Sequence, residues 1–520
     1  MRLGLVSIGW IAALCAARPA AGAEAEAEAE AEWSPAVEEA RAPHHGRSLW
    51  QMGAGLAVGT AGYWALMRRN VADWDNPRPL SRFDGSAWVL DNNSIGVNFL
   101  GHPYTGGVAY SFARGNHQSV TGAFAYSFLT SLLWELVIEF KEKVSVNDVL
   151  VTPGAGLPIG EALHKLGLYL DTGHHDSVAL SALRALFGTG VVVDRALDGR
   201  PEPRVTSRDS LGFSSKVWHD FALSYGAGVI EAPGVNDYAR YEGGLRLRLV
   251  TLEGYGRPLA FGAGFYGAEI STLGLRVEAS AHGAGMAVEA DTVLAGYHAQ
   301  SLSRRGGALE GASFTVGSSV GFDYLRSSAN RYGAVEDAVR QPGPDLSYHA
   351  PNRREQYGAL QLPGLAVELR LLQRWGGLEL ASRLQPSFAG LGAPAFYDWA
   401  AEHLEERSKH VLHRQGYFYG WGVAAHVSAS LALGALRGGF QLTYGAYRSQ
   451  DGWDRHPEQL SADVKVTGDF LSYQGRFGVA PSPTTSLALT LGVRRFRADA
   501  GGYDRTARGV ERGVTASWLF

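Results

Sequence analysis

Apolar and polar residues alternate with a period of two along the C-terminal part of the chain. The alternation is clearest in Leu245–Leu249, Leu365–Leu371, Leu487–Val493 and Val514–Phe520, and glycine pairs such as Gly306-Gly307 mark turns between the runs. About twelve strands are predicted between residues 206 and 520. Many exceed the roughly ten residues that cross an outer membrane at a tilt. We therefore predict a mainly β protein whose C-terminal part is a transmembrane antiparallel β-barrel, closed so that no sheet edge is left unpaired. A periplasmic β-sandwich is the alternative, and the strand lengths disfavour it.

The pattern between residues 71 and 205 is helical. Val120–Phe140 lacks proline, and it places Ser127, Ser131, Glu135 and Glu139 at steps of four in one narrow polar stripe. A helix on a water-facing surface is polar over about half of its circumference, so we predict that this helix is mostly buried. Thr152-Pro153 predicts the start of a further helix. Residues 71–205 are thus predicted to form a helical module that precedes the barrel.

The first 70 residues divide into three segments. Residues 1–23 have the form of a signal peptide that is cleaved after Ala21-Gly22-Ala23, and residues 24–47 begin with an acidic Ala-Glu tether. Residues 48–70 contain twenty uncharged positions from Ser48 to Met67, enough to span a bilayer. This segment is either a membrane helix with Gly55 and Gly59 on its packing face, or a helix packed on other protein. We favour the second, because a strong apolar helix would retain the chain in the inner membrane.

Composition and charge agree with a barrel. Glycine supplies 67 of 520 residues, 19% are charged, and Cys15 is the only cysteine, which excludes a disordered chain and a disulfide scaffold. The formal net charge of −4 excludes nucleic acid as a partner. The C-terminal residues Trp518 and Phe520 resemble the signal that the barrel-assembly machinery reads. We expect the outer membrane of a Gram-negative bacterium as the location, with that machinery and the lipid bilayer as partners.

The helical module carries the candidate chemistry. Two carboxylates on a buried helix need partners or shifted pKa values, which indicates a site. We predict catalytic roles for His102, Glu135 and Asp148, supported by a polar centre that includes Tyr104, Arg114, Glu139, Asn147 and Glu161. His102 would act as a general base, or a divalent metal would bind; the sequence names no cofactor. The alternative is structural: Arg114 pairs with Glu135, Asp148 caps a helix, and Glu161 faces solvent.

The same residues carry a family resemblance. Gly101-His102-Pro103-Tyr104, Ala113-Arg114, Trp134-Glu135, Asn147-Asp148, Thr152-Pro153 and Gly160-Glu161 follow one another in this order. Over about residues 95–170 the chain resembles an uncharacterised family of bacterial outer-membrane proteins that carry domain of unknown function number 3943. The resemblance implies an outer-membrane location and a barrel that follows, and it implies no activity. In layout the segment is also similar to small helical envelope proteins of the teicoplanin-resistance (VanZ-like) type, which implies at most a shared polar centre.

Three functions remain open at this point. The first is a barrel with a periplasmic or lumen-plugging helical module that serves envelope structure or solute passage, and we prefer it. The second is a membrane-associated hydrolase or transferase that acts on lipid or cell-wall material, with a lipid or another small molecule as ligand. The third is a docking module for a periplasmic partner, which an exposed apolar helix face would favour.

Overall fold

The chain folds into two compact units. The structure, a computed structural model, describes residues 32–67, 76–173, 177–232, 235–330, 354–403, 412, 416–451 and 464–520. Residues up to 89, 101–218 and 249–253 form the helical unit, and residues 90–100, 219–248 and 254–520 form the barrel unit. The predicted signal peptide, with Ala21 and Ala23, and the Ala-Glu repeat up to residue 31 lie outside the described residues.

The helical unit consists of seven α-helices within its described residues. They are α1 (Pro35–Glu39), α2 (His45–Gly62), α3 (His102–Gly115), α4 (Val120–Leu133), α5 (Val146–Asp171), α6 (Val178–Phe187) and α7 (Thr189–Asp198). Two π-helical turns continue helices of this unit, Tyr63–Met67 after α2 and Trp134–Ile138 after α4. A third, Val97–Gly101, precedes α3 in the chain and belongs, except for Gly101, to the barrel unit. A two-residue parallel strand pair joins Trp88–Val89 to Val144–Ser145.

Helix α5 begins earlier than the sequence predicts. Ser145 is its N-cap, and its hydroxyl accepts a hydrogen bond from the Asp148 backbone N–H at 3.3 Å. Thr152 and Pro153 therefore lie inside the helix, and the prediction that a helix starts there is wrong. Nearly every residue of α5 is buried. Packing on all sides outweighs the cost of about 3 kcal/mol that an internal proline imposes.

Glycine allows α3 and α5 to approach closely. A Cβ atom added at Gly106 would lie 1.9 Å from the carbonyl oxygen of Thr152, and one added at Gly156 would lie 2.6 Å from the backbone of Gly106. Any side chain at these positions would force the two helices apart. Gly160 takes part in the same contact, because a Cβ atom added there would lie 2.6 Å from the carbonyl oxygen of Gly107.

Helix α4 reverses the expected burial. The stripe at steps of four is there, but Ser127, Ser131 and Glu135 are the buried positions, together with Ala123. The apolar faces are partly or fully exposed, and the prediction of a mostly buried helix is wrong. One described helical stretch, Val120–Ile138, is long and apolar enough to cross a membrane by length and composition, and 22% of it is buried.

The barrel unit is a closed antiparallel sheet of twelve strand positions. They are β1 (Trp218–Ala232), β2 (Val235–Val250), β3 (Ala260–Phe265 with Ile270–Ser280), β4 (Gly283–Arg305), β5 (Ala308–Asn330), β6 (Arg354–Gln373), β7 (Gly376–Gly392), β8 (Tyr417–Leu433), β9 (Leu436–Ser449), β10 (Val466–Ser482), β11 (Thr485–Ala500) and β12 (Tyr503–Leu519). The two segments of β3 pair with successive parts of β4. Strand β12 pairs with β1 and closes the ring. The prediction of a barrel of about twelve strands is confirmed.

Alternation along the strands separates two faces. Leu384, Val427 and Leu489 are exposed and point outward, whereas Arg383, His426 and Arg494 on the same strands are shielded from solvent and point inward. An apolar outside and a polar lumen are the pattern of a barrel in lipid. The two different faces of the strands explain the period of two in the sequence.

The ends of several strands are closed by further structure. Helix α8 (Pro394–Glu402) follows β7, and its Phe396 and Trp399 join an apolar cluster with the inward-facing Phe418, Phe470 and Phe496. The sequence predicts loops at 327–357 and 393–414. Strands β5 and β6 extend into the first, and α8 occupies part of the second, in place of the short helix expected at 397–410; residues 331–353, 404–411 and 413–415 lie outside the described part.

Residues 90–100 belong to the barrel unit although they precede α3. Tyr419 donates a hydrogen bond to Asp91 (2.8 Å), and Tyr417 donates one to the carbonyl oxygen of Asn93 (2.8 Å). A Cβ atom added at Gly358 would lie 2.3 Å from the Phe99 ring. Tyr417 and Tyr419 share a strand face with the exposed Trp421, so this segment lies on the outward side of β8.

Candidate functional site

Glu161 is the centre of one buried cluster in the helical unit. Its carboxylate is fully buried and receives two N–H groups from Arg114, at 2.9 and 3.3 Å. Tyr110 donates to it at 2.7 Å, and the Lys165 ammonium lies 3.5 Å away. Although burial acts in the opposite direction, the Arg114 and Lys165 charges lower the pKa of Glu161 to about 2. The carboxylate is therefore a paired anion within the interface of α3 and α5.

The surroundings of Glu161 do not suit a metal ion. His164 follows Glu161 by three positions, and burial together with the Arg114 charge lowers the pKa of His164 to about 3. Its Nδ1 atom has no hydrogen-bond partner among the described residues. However, Arg114 and Lys165 already neutralise the carboxylate, and their positive charges would repel a divalent cation.

His102 and Asp148 form the second group of predicted residues. His102 Nε2 lies 3.6 Å from Asp148 Oδ2, and a quarter of the His102 side chain (24%) is exposed while Asp148 is buried. Asn147 donates to Asp148 Oδ1 at 2.9 Å, and Ser131 donates to the Asp148 backbone carbonyl at 3.1 Å. A carboxylate that is held in place and an accessible imidazole form the arrangement in which a histidine acts as an oriented base.

Glu139 is a further carboxyl group near His102 and Asp148. It follows the π-helical turn after α4, and its backbone N–H donates to the Trp134 carbonyl at 3.0 Å. Burial first, and then the neighbouring charges of Glu142 and Asp148, raise the pKa of Glu139 well above its usual value. A carboxyl group that keeps its proton near neutral pH can donate a proton, which the other carboxylates of the cluster cannot do.

The Glu135 side chain is buried and contacts the backbone where α5 begins. Its side chain is 1% exposed, and its carboxylate accepts the backbone N–H of Ser145 at 2.8 Å, at the N-terminus of α5. Arg82 donates to the backbone carbonyl of Glu135. This geometry connects the end of α4 to the start of α5.

The structure thus brings the predicted residues together in two places. His102, Asp148, Asn147 and Glu139 lie around one centre, and Glu135 accepts the backbone N–H of Ser145, the N-cap of the helix that carries Asp148. Glu161 and Arg114 form the other cluster, and Tyr104 is exposed on α3. The structural alternative also differs in detail: Arg114 pairs with Glu161 instead of Glu135, and Ser145 instead of Asp148 provides the cap. The catalytic roles stay predictions.

Sequence reasoning missed a third cluster in the helical unit. Asp194 is fully buried, accepts from Gln51 at 3.1 Å, and lies 3.5 Å from Arg47; burial raises the pKa of Asp194 to about 7. His44, His117 and Asp198 lie close enough together to hold a metal ion. Asp198 is already paired with Arg47 at 2.5 Å and with Arg200 at 3.1 Å, which disfavours a cation there. The three side chains come from widely separated segments of the chain, so no sequence motif predicted their proximity.

The lumen of the barrel contains ion pairs that the sequence did not reveal. Arg494 on β11 lies 3.3 Å from Glu355 on β6, five strand positions away around the ring. Arg248 on β2 lies 2.5 Å from Glu368 on β6, four positions away. Only side chains that cross the interior can make such contacts. The alternation of the strands predicts which residues point inward, but it contains no information on their partners.

Further inward charges extend this set, which we call the trans-lumen ion pairs. Arg383 on β7 contacts Asp291 on β4 at 2.8 Å, and Arg240 on β2 contacts Glu511 on β12 at 2.9 Å. Arg494 also reaches Glu511, at 3.2 Å, and is 2% exposed. An arginine so shielded from water inside a barrel indicates a lumen filled by side chains.

The predicted sorting residues close the barrel. The backbone N–H of Phe520 donates to the Phe221 carbonyl at 2.9 Å, and the exposed Trp518 pairs in register with Leu223 of β1. These contacts join the last strand to the first. Recognition of Trp518 and Phe520 by the assembly machinery stays a prediction.

Solved structures similar to this chain are outer-membrane barrels. The NanC porin has 8% identity, a TM-score of 0.22, and covers 56% of this chain and 98% of its own. An outer membrane channel from Pseudomonas putida F1 has 9% identity, a TM-score of 0.25, and coverage of 58% and 95%. The transport unit of the autotransporter AIDA-I from Escherichia coli has 10% identity, a TM-score of 0.22, and coverage of 61% and 94%. Likeness at this level says nothing about a solute or a role.

The family comparison concerns the helical unit and the segment at 90–100. No curated protein matches the chain significantly. Residues 87–188 match the family model DUF3943, a domain of unknown function. The match extends beyond the predicted 95–170 and runs from the short strand pair through α6. The chain therefore combines a closed twelve-stranded β-barrel with a segment, residues 87–188, that matches the domain of unknown function predicted from the Gly-His-Pro-Tyr and Trp-Glu segments.

Proposed function

We propose that the protein is an anchor in the outer membrane of a Gram-negative bacterium: a barrel with a closed lumen that holds the helical unit in the cell envelope. The observation that carries this proposal is the set of trans-lumen ion pairs. Arg494 and Glu355 meet across the interior, and both are almost fully buried. A standing pore would leave such side chains hydrated and apart.

Both ends of the lumen support the proposal. At one end the aromatic residues of α8 pack on inward-facing rings. At the other, Gln300 on β4 donates to the carbonyl oxygens of Gly254 and Arg257, in the turn between β2 and β3. Solute passage, the other role open to a barrel, would require these contacts and the trans-lumen ion pairs to break together.

Conductance in planar lipid bilayers tests the closed lumen. We expect purified full-length protein to show no steady current at neutral pH. Replacing both Arg383 and Arg494 with alanine leaves facing carboxylates that repel one another and admit water, so the double variant should show channel openings. Arg497→Ala is the matched control. Arg497 lies on β11, as Arg494 does, but it pairs with Asp504 of β12 on the exposed side of the sheet.

Two outcomes would contradict the proposal. A steady current through the wild-type protein would show a standing pore and favour solute passage. A silent double variant would show that the trans-lumen ion pairs are not what closes the lumen.

A second candidate function is an enzyme that acts on lipid or cell-wall material. The observation that favours it is the accessible His102 imidazole beside Asp148, with the raised pKa of Glu139 nearby. In this mechanism Asp148 orients His102, His102 accepts a proton from a nucleophile, and Glu139 supplies a proton to the leaving group. The barrel would then serve as the membrane anchor of a catalytic unit.

Mass spectrometry of outer-membrane lipids and cell-wall fragments distinguishes the two candidates. A deletion strain is complemented with wild type, His102→Gln or Asp148→Asn at matched protein levels, and Asp84→Asn in an exposed turn is the control. A lipid or cell-wall species that changes in the first two variants and not in the control would establish an enzyme. Identical profiles would contradict the enzyme and leave the anchor.

A further inference from the structure

Helices α2 and α4 are apolar on the outside and polar on the inside. On α4, the buried Ser127 donates to the carbonyl of Gly106 at 3.0 Å, and the buried Ser131 donates to the carbonyl of Asp148 at 3.1 Å. Glu135 continues this buried line. A helix of a water-soluble protein has the opposite arrangement, with its polar stripe in solvent.

The outward side of α4 and of the residues that follow it is apolar. Phe128 and Leu129 are exposed by 36% and 37%, and Val137 and Phe140 by more than half. Asp, Glu, Lys, Arg and His are absent from Val120 to Trp134 in the sequence. The exposed face therefore carries hydroxyl groups such as those of Thr121 and Tyr126, but no charge that would favour water strongly over hydrocarbon.

Helix α2 repeats the arrangement. Its buried positions are Ser48, Gln51, Gly55 and Gly59, whereas Leu49 and Trp50 are exposed. A Cβ atom added at Gly59 would lie 2.6 Å from the Trp134 ring, so the two helical segments approach closely at this glycine. Small and polar residues between helices, with apolar residues outside, are typical of helices that pack within a membrane.

The lengths of the two segments and their ends fit a bilayer. Val120–Ile138 has 19 residues, and Ser48–Met67 contains twenty uncharged positions, close to the roughly 20 residues that span the hydrocarbon core. At their common end, the Trp64 ring stacks on Phe140 with centroids 5.4 Å apart, and the Lys141 ammonium lies 5.7 Å from the Trp64 centroid. Tryptophan and lysine are the residues that mark the boundary between lipid and water.

We infer that the outward face of α2 and α4 is a lipid-binding surface that contacts acyl chains of the bilayer. The barrel of the same chain resides in a membrane, so acyl chains are available to this face without a further partner. Repeated glycines lower the hydrophobicity of α2, which suits a segment that must pass the inner membrane during export. The inference goes beyond the anchor function, because it concerns which solvent surrounds the helical unit.

Spin labels on single cysteines test the inference in full-length protein reconstituted into phosphatidylethanolamine and phosphatidylglycerol vesicles. Cys15, the only cysteine, lies in the predicted signal peptide, so introduced cysteines are labelled without background. Labels at Leu129→Cys and Val137→Cys report on the surface. Leu489→Cys on the outward face of the barrel is the lipid reference, and Glu202→Cys at an exposed position is the water reference.

Collision rates with oxygen, which concentrates in lipid, and with a water-soluble nickel complex give the result. We expect the oxygen-to-nickel ratio at positions 129 and 137 to match that at 489 and to exceed that at 202. A ratio like that at 202 would overturn the inference by showing a surface in water. Low rates for both reagents would overturn it by showing a protein contact. The label at 489 reports barrel insertion separately, and conductance tests the closed lumen separately, so failure here leaves the anchor proposal standing.

Discussion

The barrel and the helical unit both have charged side chains in their interiors, and these charges are paired in two different ways. In the barrel, every strand alternates, and inward charges such as Arg494 and Glu355 find partners on distant strands. In the helical unit, the buried charges pair between neighbouring helices, as Arg114 and Glu161 do. The barrel interior is therefore held by long side chains that reach one another across the lumen. The helical interior is held by short contacts at glycines, which tolerate little change.

The comparison predicts that small changes in packing break the helical unit and leave the barrel intact. Gly106→Val, whose Cβ would overlap the Thr152 carbonyl, should destabilise the helical unit by about 4 kcal/mol or more. Hydrogen exchange of α3 and α5 by mass spectrometry in detergent measures this, with the barrel strands as internal reference. Gly53→Val is the control, since a Cβ at Gly53 meets no atom within 4 Å. Equal protection in both variants would contradict the role of the close contact.

Breaking the buried pair in the helical unit should have the next largest effect. Glu161→Gln keeps the shape of the side chain but leaves Arg114 without its buried anion, and we expect a loss of about 3–5 kcal/mol in the free energy of unfolding. The same substitution at the exposed Glu253, in residues 249–253 of the helical unit, should be neutral. Urea unfolding followed by protease susceptibility of the helical unit gives both values. A loss as small as that of the control would contradict the prediction and would show that water hydrates Arg114 in the variant.

A pH dependence sharpens the comparison without changing the packing. The unfolded chain protonates His164 below pH 6.5, whereas burial and the Arg114 charge delay protonation in the folded unit until about pH 3, the lowered pKa. The stability that neutral His164 contributes is complete above pH 6.5 and is lost as the pH falls, at up to about 1.4 kcal/mol per pH unit.

His164→Gln isolates this contribution. Other titrating groups, Asp194 among them, are common to both chains, so the difference between the two urea unfolding curves from pH 7 to pH 5 reports His164. Parallel curves would mean that His164 is protonated in the folded unit.

The smallest effect is expected in the segment at residues 90–100, which belongs to the barrel unit but packs on the outward side of β8. Tyr419→Phe removes the hydroxyl that donates to Asp91, and the cost should be about 1.5 kcal/mol for local opening of the segment. Amide exchange at residues 91–100 measures it, and Tyr297→Phe on the exposed side of β4 is the control. Faster exchange in α3 as well would show that the segment does not open by itself.

The barrel could be predicted from the sequence because the alternation of inward and outward residues is a local property of each strand. Alternation in Leu487–Val493 assigns each residue to a face without knowledge of any neighbour. The partners of those residues could not be predicted, since Arg494 and Glu355 are 139 positions apart. The helical stripe of Ser127, Ser131 and Glu135 was also predictable. Its direction was not, because the argument for a mostly buried helix assumed water as the outer solvent.

The candidate site was predictable in its membership and not in its arrangement. His102 and Asp148 meet, whereas Glu161 belongs to a different cluster with Arg114. Helix spacing shows which residues share a face, but α5 continues through Pro153, so the relation between Asp148 and Glu161 could not be derived from an assumed helix start at Thr152.

The trans-lumen ion pairs have a kinetic consequence. They join positions separated by 120 residues in Arg248 and Glu368, and by 271 in Arg240 and Glu511, so they form only after the ring of strands has closed. Interactions that are absent from the transition state leave the folding rate unchanged and slow unfolding instead. The lumen charges would thus do nothing to guide the barrel into the membrane, and would set how long it persists there once assembled.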